Sequence, residues 1–456
     1  MRQEHLAAPA APAAAPDPLA IRRSHGYVRL LILAALIGVP VAMVSYGFQY
    51  VVSKLQTWFF DSLPKELGFS AAPIWWPLPV LVLAGILVPL AITRLPGNGG
   101  HSPADGFKPA GALPPEQLAG VTLAAIASLS LGVVLGPEAP LIAIGAGLGV
   151  LAVRLVKRDS PPQVATVIAA AGSFAAISAL LGSPLLGAFL LMEASGLGGP
   201  MLGLVLVPGL LTAGVGTLIF IGLDNVTGLG TYSLAIPNLP AFTHVTGVLF
   251  LWAIAFGFAS AALGWLIHAI GVLVRPMVER RIFVLTPVIG AVIAGLAILF
   301  EQVSGHSSHE VLFSGENSLA GLVQNPGAWT AGALLLLATC KALAYGLSLS
   351  SFRGGPTFPA MFVGTALGMA VANLPGLSLV PAVGMGLAAM CATMLQLPFT
   401  SVLLATVFLQ SDSLELMPLI IVAVVVAYVA VARLPEPSTL WPRPAKAMKA
   451  APSGAG

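Results

Sequence analysis

The feature that most limits how this chain can fold is a short motif that occurs twice. Residues 136–140 read Gly-Pro-Glu-Ala-Pro and residues 355–359 read Gly-Pro-Thr-Phe-Pro, and each interrupts a long apolar segment. The likeness extends further, because 136–149 and 355–368 share Gly, Pro, Pro, Gly, Leu and Gly at the same six positions. Broken apolar segments at corresponding positions of two halves are typical of membrane proteins built from an internal repeat.

Composition places this repeat in a bilayer. Of all residues 57% are hydrophobic and only 8% are charged, whereas a soluble surface needs about a quarter of residues charged. Many apolar stretches, 117–135 among them, approach or exceed the roughly 20 residues that a spanning helix requires. Others, including 138–152 and 359–373, are short or rich in glycine, and we expect half-helices or tilted helices there. The predicted fold is therefore all-α: a polytopic membrane protein with two helical repeats.

Matched spacings define the repeats and their boundaries. Gly172 and Pro184 have the same spacing as Gly386 and Pro398, again inside apolar helical patterns. We place repeat one at about 74–222 and repeat two at about 283–433, within a transmembrane domain at 21–433. Residues 1–20 and 434–456 are rich in Ala and Pro and are predicted to be disordered tails.

Basic residues flank both ends of the apolar region. Arg22, Arg23 and Arg29 precede it, and four more follow it: Arg433, Arg443, Lys446 and Lys449. The positive-inside tendency predicts that both termini are cytoplasmic. The number of crossings is then even, and two repeats with an odd number of crossings each would have inverted topology.

Glu138 is the strongest candidate for a functional residue. Gly136 and Pro137 end one helix and begin another, which puts Glu138 in the first turn of a helix inside an apolar segment. A helix N-terminus attracts anions through its unpaired N–H groups and its dipole. The ionised carboxylate would fill this site, and the protonated or displaced carboxyl would yield it to a mobile anion. The alternative is a glutamate that only stabilises its own helix.

Two further segments are candidates for binding the same anion. Thr357 occupies the position of Glu138 in the second motif and is either a hydroxyl donor to the anion or a simple helix cap. Residues 97–103, Gly-Asn-Gly-Gly-His-Ser-Pro, form a loop in which amides, Asn98 or Ser102 would contact an anion, or else an ordinary turn. Glu193 and Lys341 are ionisable groups within apolar stretches, and we favour structural roles for both.

Other function classes lack their motifs. The chain has no HExxH, no GxSxG and no P-loop, so an intramembrane enzyme or an ATP-driven pump would lack its machinery. The cluster His306–Glu310 lacks a third ligand at a spacing known for metal sites. The net charge of +3 gives no reason to expect nucleic acid as a partner. We therefore predict no enzyme, no cofactor and no metal site.

These motifs, in this order, resemble those of the CLC family of chloride channels and chloride/proton exchangers. Members typically carry a G-S-G-x-P loop, a G-(K/R)-E-G-P motif and a G-x-F-x-P motif, and residues 97–103, 136–140 and 355–359 stand in these places. The resemblance implies a homodimer with one pore in each subunit and inverted repeats that meet at mid-membrane. It also implies an integral protein of the plasma membrane, the inner membrane if the source is bacterial.

The resemblance assigns roles to individual residues. Glu138 matches the gating glutamate that occupies the anion path and takes up a proton. The implied anion-binding residues are Asn98, Gly99, Ser102, Ala139, Thr357 and Phe358, and the implied motif residues are Gly136, Pro137, Pro140, Gly355, Pro356 and Pro359.

Several positions depart from the family pattern. Pro137 replaces a basic residue, Ala139 a glycine, Thr357 a phenylalanine and Asn98 the anion-coordinating serine. Many exchangers carry a proton-transferring glutamate where this chain has Ala194, and a methyl group relays no proton.

These departures shape the functional hypotheses. They favour a chloride channel with a glutamate gate. A chloride/proton or fluoride/proton antiporter is the alternative, because some exchangers use water in place of that carboxylate. The family also tends to supply a pore tyrosine from a further C-terminal helix, which we do not expect here; Tyr428 is the nearest candidate and is better explained by packing or by the membrane interface.

Overall fold

The computed structural model of the chain describes residues 22–107, 111–156, 161–196, 199–228, 236, 242, 244–410 and 413–440. Within these ranges the chain forms helices joined by turns and loops, with one isolated two-residue β-bridge. The helices are α1 His25–Thr57, α2 Pro77–Arg94, α3 Leu118–Ser130, α4 Glu138–Val156, α5 Pro162–Leu181, α6 Pro184–Ser195, α7 Gly199–Thr227, α8 Gly247–Arg280, α9 Ile282–Ser304, α10 Leu319–Gln324, α11 Ala331–Ser351, α12 Thr357–Val371, α13 Leu379–Leu395, α14 Pro398–Leu409, α15 Ser413–Arg433 and α16 Pro437–Leu440. A π-helical turn, Trp58–Ser62, and a further turn, Leu63–Glu66, extend α1, and short 3-10 turns occur at Pro103–Asp105, Pro115–Gln117, Ser308–Glu310 and Pro326–Ala328.

Nine helices of the described chain are long and apolar enough to cross a membrane: His25–Glu66, Pro77–Arg94, Glu138–Val156, Pro162–Leu181, Leu202–Thr227, Gly247–Arg280, Ile282–Ser304, Ala331–Ser351 and Leu414–Thr439. Four shorter apolar helices, α6, α12, α13 and α14, lie among them. The predicted all-α membrane fold is confirmed. The shorter helices are the half-helices that an interrupted apolar sequence implies.

The two halves of the chain pack in the same way around paired glycines. In the first half α4 lies against α5, and a methyl group added to Gly145 would overlap the carbonyl oxygen of Gly172. In the second half α12 lies against α13, where Gly364 and the carbonyl of Gly386 stand in the same relation. Small residues allow helix backbones to approach this closely inside a membrane. The duplicated sequence pattern therefore corresponds to a duplicated helix contact.

The structure corrects two expected lengths near the first motif. The apolar stretch 117–135 does not form one spanning helix, because α3 ends at Ser130 and Gly132 adopts a φ of 91°. Its last residues approach Gly136 in a non-helical conformation. The following helix is longer than the predicted half-helix 138–152 and ends at Val156.

The predicted tails lie largely outside the described residues. Nothing is described for 1–20 or for 441–456, which include the basic residues Arg443, Lys446 and Lys449. The segment 434–440 is described. It forms the short helix α16, and the Trp265 indole donates a hydrogen bond to the carbonyl of Pro435 (2.7 Å).

Contacts between helix ends define two faces of the molecule. The Trp76 indole donates to the carbonyl of Phe59 (2.8 Å), so α2 starts near the point where α1 and its π-helical extension end. Asp105 follows the end of α2 in the sequence and forms an ion pair with Arg275 (2.6 Å). It lines the same cavity as Pro435, which follows the end of α15. We call this side, where α1 begins and α15 ends, the termini face. The opposite side, formed by 58–62 and 308–318, is the vestibule face.

Candidate functional site

The two Gly-Pro motifs meet at the centre of the structure. The amide of Gly136 donates to the carbonyl of Gly355 (2.8 Å), and the amide of Gly355 donates to the carbonyl of Gly136 (2.6 Å). This antiparallel pair is the isolated bridge of the fold. Because α4 begins at Glu138 and α12 begins at Thr357, directly after the motifs, the N-termini of the two helices converge.

The carboxyl group of Glu138 lies between these two N-termini. Glu138 is 0% exposed, and its Oε1 accepts a hydrogen bond from the backbone N–H of Phe358 (2.9 Å). A side chain that starts on α4 thus occupies the first turn of α12. Each helix N-terminus carries about half a positive charge, so the carboxylate is held electrostatically as well as by the hydrogen bond. Its second oxygen, Oε2, has no hydrogen-bond partner among the described residues.

The Glu138 carboxyl group fills the space in which a side chain at either glycine of the bridge would lie. A Cβ atom built on Gly136 or on Gly355 would overlap an oxygen of Glu138. The same Cβ on Gly355 would lie 3.0 Å from the backbone nitrogen of Ala139. Only glycine leaves room here for a carboxylate or for an anion of similar size.

The second motif contributes polar groups from α12. Thr357 is fully buried, its amide and hydroxyl lie beside the Glu138 carboxylate, and the hydroxyl has no hydrogen-bond partner among the described residues. Phe358 is 1% exposed and supplies the amide that holds Glu138. We call the groups around the carboxylate, from Gly136, Ala139, Gly355, Thr357 and Phe358, the anion cradle.

The prolines of the two motifs flank the cradle but supply no hydrogen-bond donor to it. Pro137 and Pro356 lack an N–H, and Pro140 and Pro359 follow within the first turns of α4 and α12. The carbonyl of Pro356 accepts a hydrogen bond from the hydroxyl of Tyr345 (2.8 Å). Tyr345 is fully buried in α11 and was not anticipated from the sequence.

The glycine-rich loop reaches the cradle through an arginine. Gly97, Asn98 and Gly99 all adopt positive φ angles, 86°, 50° and 70°, which coils the loop tightly. The carbonyl of Asn98 accepts from Arg353 Nη2 (3.4 Å). Ser102 is 8% exposed, and its hydroxyl has no partner among the described residues. The structure therefore links this loop to the second motif, which begins two residues after Arg353.

Arg353 is the second residue of the site that sequence reasoning missed. Its backbone N–H donates to Ser128 Oγ (3.1 Å), and its Nη1 donates to the carbonyl of Phe352 (3.1 Å). Its Nε has no hydrogen-bond partner among the described residues. A basic residue thus adjoins the second motif, whereas the first motif carries Pro137 where a basic residue is usual. An arginine inside an apolar stretch was the available signal.

Glu193 and Ala194 stand apart from the cradle. The Glu193 carboxylate accepts from the amides of Phe399 (2.8 Å) and Thr400 (2.7 Å) and from the Thr400 hydroxyl (2.6 Å). It therefore caps the N-terminus of α14, in keeping with the predicted structural role. Ala194 is partly buried against the hydrophobic core and supplies no titratable group. Tyr428 lies on α15 and is 37% exposed.

A cavity on the vestibule face extends inward to the first motif. It has a volume of about 220 Å³, and its wall includes Pro137, next to Glu138. We call it the vestibule. Its ionisable lining residues are Asp61, His309 and Glu316.

Comparisons with known proteins agree with this architecture. The chain is 30% identical over 358 residues to YfeO of Escherichia coli O6:H1, a protein named for ion transport, with 76% of this chain and 80% of that protein covered. A slow cyanobacterial Cl−/H+ antiporter superposes with a TM-score of 0.71 at 19% identity, covering 90% of this chain and 97% of that one. A CLC-type fluoride/proton antiporter superposes with a TM-score of 0.62 at 18% identity, covering 88% and 95%.

The decisive comparison is with a protein family. The family described as voltage gated chloride channel matches residues 105–432, a range that contains both Gly-Pro motifs, Glu193 and most of the membrane helices. Members of this family are ion channels and transporters, not enzymes. The chain therefore belongs to the CLC family and is a membrane protein for anion transport.

Proposed function

We propose that this chain conducts chloride through the anion cradle and that Glu138 is its gate. One observation carries the proposal: a carboxylate from α4 occupies the N-terminus of α12, where a mobile anion would bind. The carboxylate and chloride compete for the same N–H groups. Protonation removes the negative charge of Glu138, so the cradle loses its internal anion and chloride takes its place.

The cradle suits a small dehydrated anion. Its groups are backbone amides of α4 and α12 and the Thr357 hydroxyl, all buried, so they act in a medium of low dielectric. The free Nε of Arg353, two residues before the second motif, supplies one further donor. We infer that Asn98, Gly99 and Ser102 line the approach from the termini face, because Arg353 joins that loop to the cradle.

A passive channel is the form of transport that the polar contacts favour. Proton exchange needs a route for protons from Glu138 to the termini face. At the family's usual relay position this chain has Ala194, and the neighbouring Glu193 is fully engaged in capping α14. The second candidate is a chloride/proton or fluoride/proton antiporter, and it is supported by the two similar structures, one a Cl−/H+ antiporter and the other a fluoride/proton antiporter.

We also propose that the protein acts as a homodimer in the plasma membrane, with both termini in the cytoplasm. Basic residues adjoin both ends of the apolar region. The beginning of α1 and the end of α15 lie on the termini face, which supports an even number of crossings. The vestibule face would then be external.

The gate is tested by chloride efflux from proteoliposomes over a range of vestibule-side pH. For the unmodified protein we expect flux to rise as pH falls. Glu138→Gln and Glu138→Ala should make flux insensitive to pH, because neither side chain titrates. Glu415→Gln is the matched control, since Glu415 also lies in the first turn of a helix but is exposed. If Glu138→Gln retains the pH dependence of the unmodified protein, Glu138 is not the gate.

Proton coupling is tested on the same proteoliposomes. A chloride gradient is imposed without a proton gradient, and the internal pH is recorded. A channel should move chloride with no uphill movement of protons. Uphill proton movement that disappears in Glu138→Gln would establish the antiporter instead.

A further inference from the structure

Three polar side chains lie at helical spacing along one face of α11: Lys341, Tyr345 and Ser348. Spacings of four and three residues put side chains on the same face of a helix. All three are 0% exposed. Polar groups buried within a membrane helix are costly, and each needs a structural or functional reason. The proposed gating mechanism uses none of the three.

Two of these side chains hold backbone segments beside the site. Lys341 Nζ donates to the four carbonyls of residues 310–313, at 2.8 Å for the closest. Ser348 Oγ accepts from the amide of Val134 (3.3 Å), in the non-helical stretch before the first motif. This face of α11 is therefore a scaffold for backbone outside the helices.

The third side chain, Tyr345, contacts the second motif at the start of α12. Its hydroxyl donates to the carbonyl of Pro356 (2.8 Å), and the same carbonyl accepts the amide of Ala360 in the first turn of the helix (3.3 Å). Pro356 is the N-cap residue, with a φ of −92° and a ψ of −9°. Its carbonyl therefore points into the helix. In a planar trans peptide the N–H, here that of Thr357, points the opposite way, out of the N-terminus.

The anion cradle lies on this N–H side. Thr357 is the first residue of α12, so its N–H has no partner within the helix. The next amide, that of Phe358, donates to Glu138 Oε1 (2.9 Å). The peptide unit between Pro356 and Thr357 thus carries the Tyr345 hydroxyl on its carbonyl and turns its N–H toward the place where an anion binds.

A hydrogen bond to one end of a peptide unit affects the other end. A donor on the carbonyl oxygen polarises the peptide, and the N–H of the same unit becomes a stronger donor. The groups concerned are buried, so water does not screen this effect. An anion at the N-terminus of α12, whether the Glu138 carboxylate or chloride, is then bound more tightly.

The first motif has no corresponding tyrosine. Tyr345 stands ten residues before the first glycine of the second motif, and the residue ten before the first glycine of the first motif is Ile126, which has no hydroxyl. The carbonyl of Pro137 accepts the amide of Leu141 in the first turn of α4 (3.0 Å). The tyrosine contact therefore belongs to α12, the helix whose N-terminus receives the carboxylate.

We propose that Tyr345 is a positioning residue of the anion cradle. Through the peptide unit between Pro356 and Thr357, its hydroxyl strengthens the binding of an anion at the N-terminus of α12. The inference rests on the proposed function of the cradle. The alternative is a buried tyrosine whose hydroxyl only satisfies its own hydrogen bond, which would contribute to stability and leave anion binding unchanged.

The experiment is a calorimetric titration of the purified protein with chloride, in detergent. Glu138→Ala serves as the background, because it removes the carboxylate that competes with chloride. Adding Tyr345→Phe should raise the dissociation constant of chloride about fivefold, the size expected when one buried donor is weakened rather than removed. Thermal unfolding shows that the variant is folded.

Tyr46→Phe in the same background is the matched control. Tyr46 is a buried tyrosine of α1 whose hydroxyl is hydrogen-bonded to that of Thr227 and whose ring packs against Phe220, both on α7. This substitution removes the same hydroxyl from another part of the core. Chloride should bind as tightly as in Glu138→Ala, and a loss equal to that of Tyr345→Phe would refute a specific role for Tyr345.

A second variant should act in the opposite direction. 3-Fluorotyrosine at position 345 has a more acidic hydroxyl and nearly the shape of tyrosine, so it is a stronger donor to the Pro356 carbonyl. Chloride should then bind more tightly than with tyrosine. Weaker or unchanged binding would refute the proposal. In bromide-grown crystals of Glu138→Ala, the Tyr345 hydroxyl should stay on the Pro356 carbonyl, and a hydroxyl turned to the ion would refute action through the peptide unit.

Failure of this inference and failure of the proposed function are distinguishable. If Glu138→Ala binds chloride and the addition of Tyr345→Phe leaves the dissociation constant unchanged, the role of Tyr345 is refuted and the cradle stands. If Glu138→Ala binds no chloride, the proposed function itself is refuted, whatever Tyr345→Phe does.

Discussion

At the scale of single residues, Lys341 shows why a charged group can lie fully buried in a membrane helix. Its ammonium group donates to the carbonyls of residues 310–313 and lies 4.2 Å from the ring centroid of Phe362. These carbonyls lie at the end of the 3-10 turn Ser308–Glu310 and directly after it, inside the protein, where unpaired backbone groups are costly. The lysine therefore acts as a cap for a turn rather than as a transported or titrating charge.

Replacing Lys341 by methionine should destabilise the protein. The variant leaves buried carbonyls without a donor, and we expect the free energy of unfolding to fall by about 3 kcal/mol. Thermal unfolding in detergent measures the effect. Lys65→Met, at an exposed position in the turn after α1, should unfold at the temperature of the unmodified protein. Equal unfolding temperatures for Lys341→Met and Lys65→Met would contradict this role.

Some residues of the site could be predicted from the sequence and others could not. Glu138 could be predicted, because an acidic residue after a Gly-Pro break in an apolar segment has few structural explanations. Glu316 and Tyr345 could not be assigned to the site because neither lies in one of the three motifs, whereas Arg353 was overlooked although it adjoins the second motif. Only the bridge between the two motifs and the packing of α11 against α12 bring the second half of the chain to this carboxylate.

At the scale of helices, close glycine contacts set the positions of α4 and α12. Each helix approaches its partner at a glycine, Gly145 against Gly172 and Gly364 against Gly386. If α12 moved away from α13, the amide of Phe358 would move away from Glu138. Helix packing and the geometry of the cradle are therefore linked in each repeat.

Gly364→Ala should lower the stability of the protein and weaken chloride flux. The added methyl would overlap the carbonyl oxygen of Gly386, which belongs to backbone and cannot rotate away, so we expect a loss of about 2 kcal/mol. Gly295→Ala is the control, because Gly295 lies within α9 and has no atom within 4 Å of an added Cβ. That substitution should be neutral or stabilise by about 0.5 kcal/mol. Similar thermal unfolding of the two variants would refute the packing argument.

Helix starts were easier to predict than helix lengths. Prolines mark the first residues of α5, α6 and α14, and the Gly-Pro motifs correctly located the starts of α4 and α12. The length of each helix depended on the local backbone conformation, which hydropathy does not predict. The turn at Gly132 shortened α3, and α4 continued to Val156.

At the scale of the whole molecule, the duplicated motif brings two helix N-termini to one point. The order of the three motifs was enough to predict the family and the all-α fold. The vestibule could not be predicted in the same way, because its wall combines residues from α1, the first motif and the 309–318 segment. The two-sided arrangement, with the vestibule on one face and the Asn98 loop on the other, gives the proposed path its direction.

The most direct test of the central claim is the position of a heavy halide in the cradle. Crystals of Glu138→Ala grown in bromide should show an anomalous peak within hydrogen-bonding reach of the Phe358 amide, in the space that the carboxylate fills in the unmodified protein. The unmodified protein in the same salt at neutral pH should show a weaker peak or none at this position, because its own carboxylate competes. Bromide bound elsewhere along the chain, with the space between α4 and α12 empty in Glu138→Ala, would contradict the account.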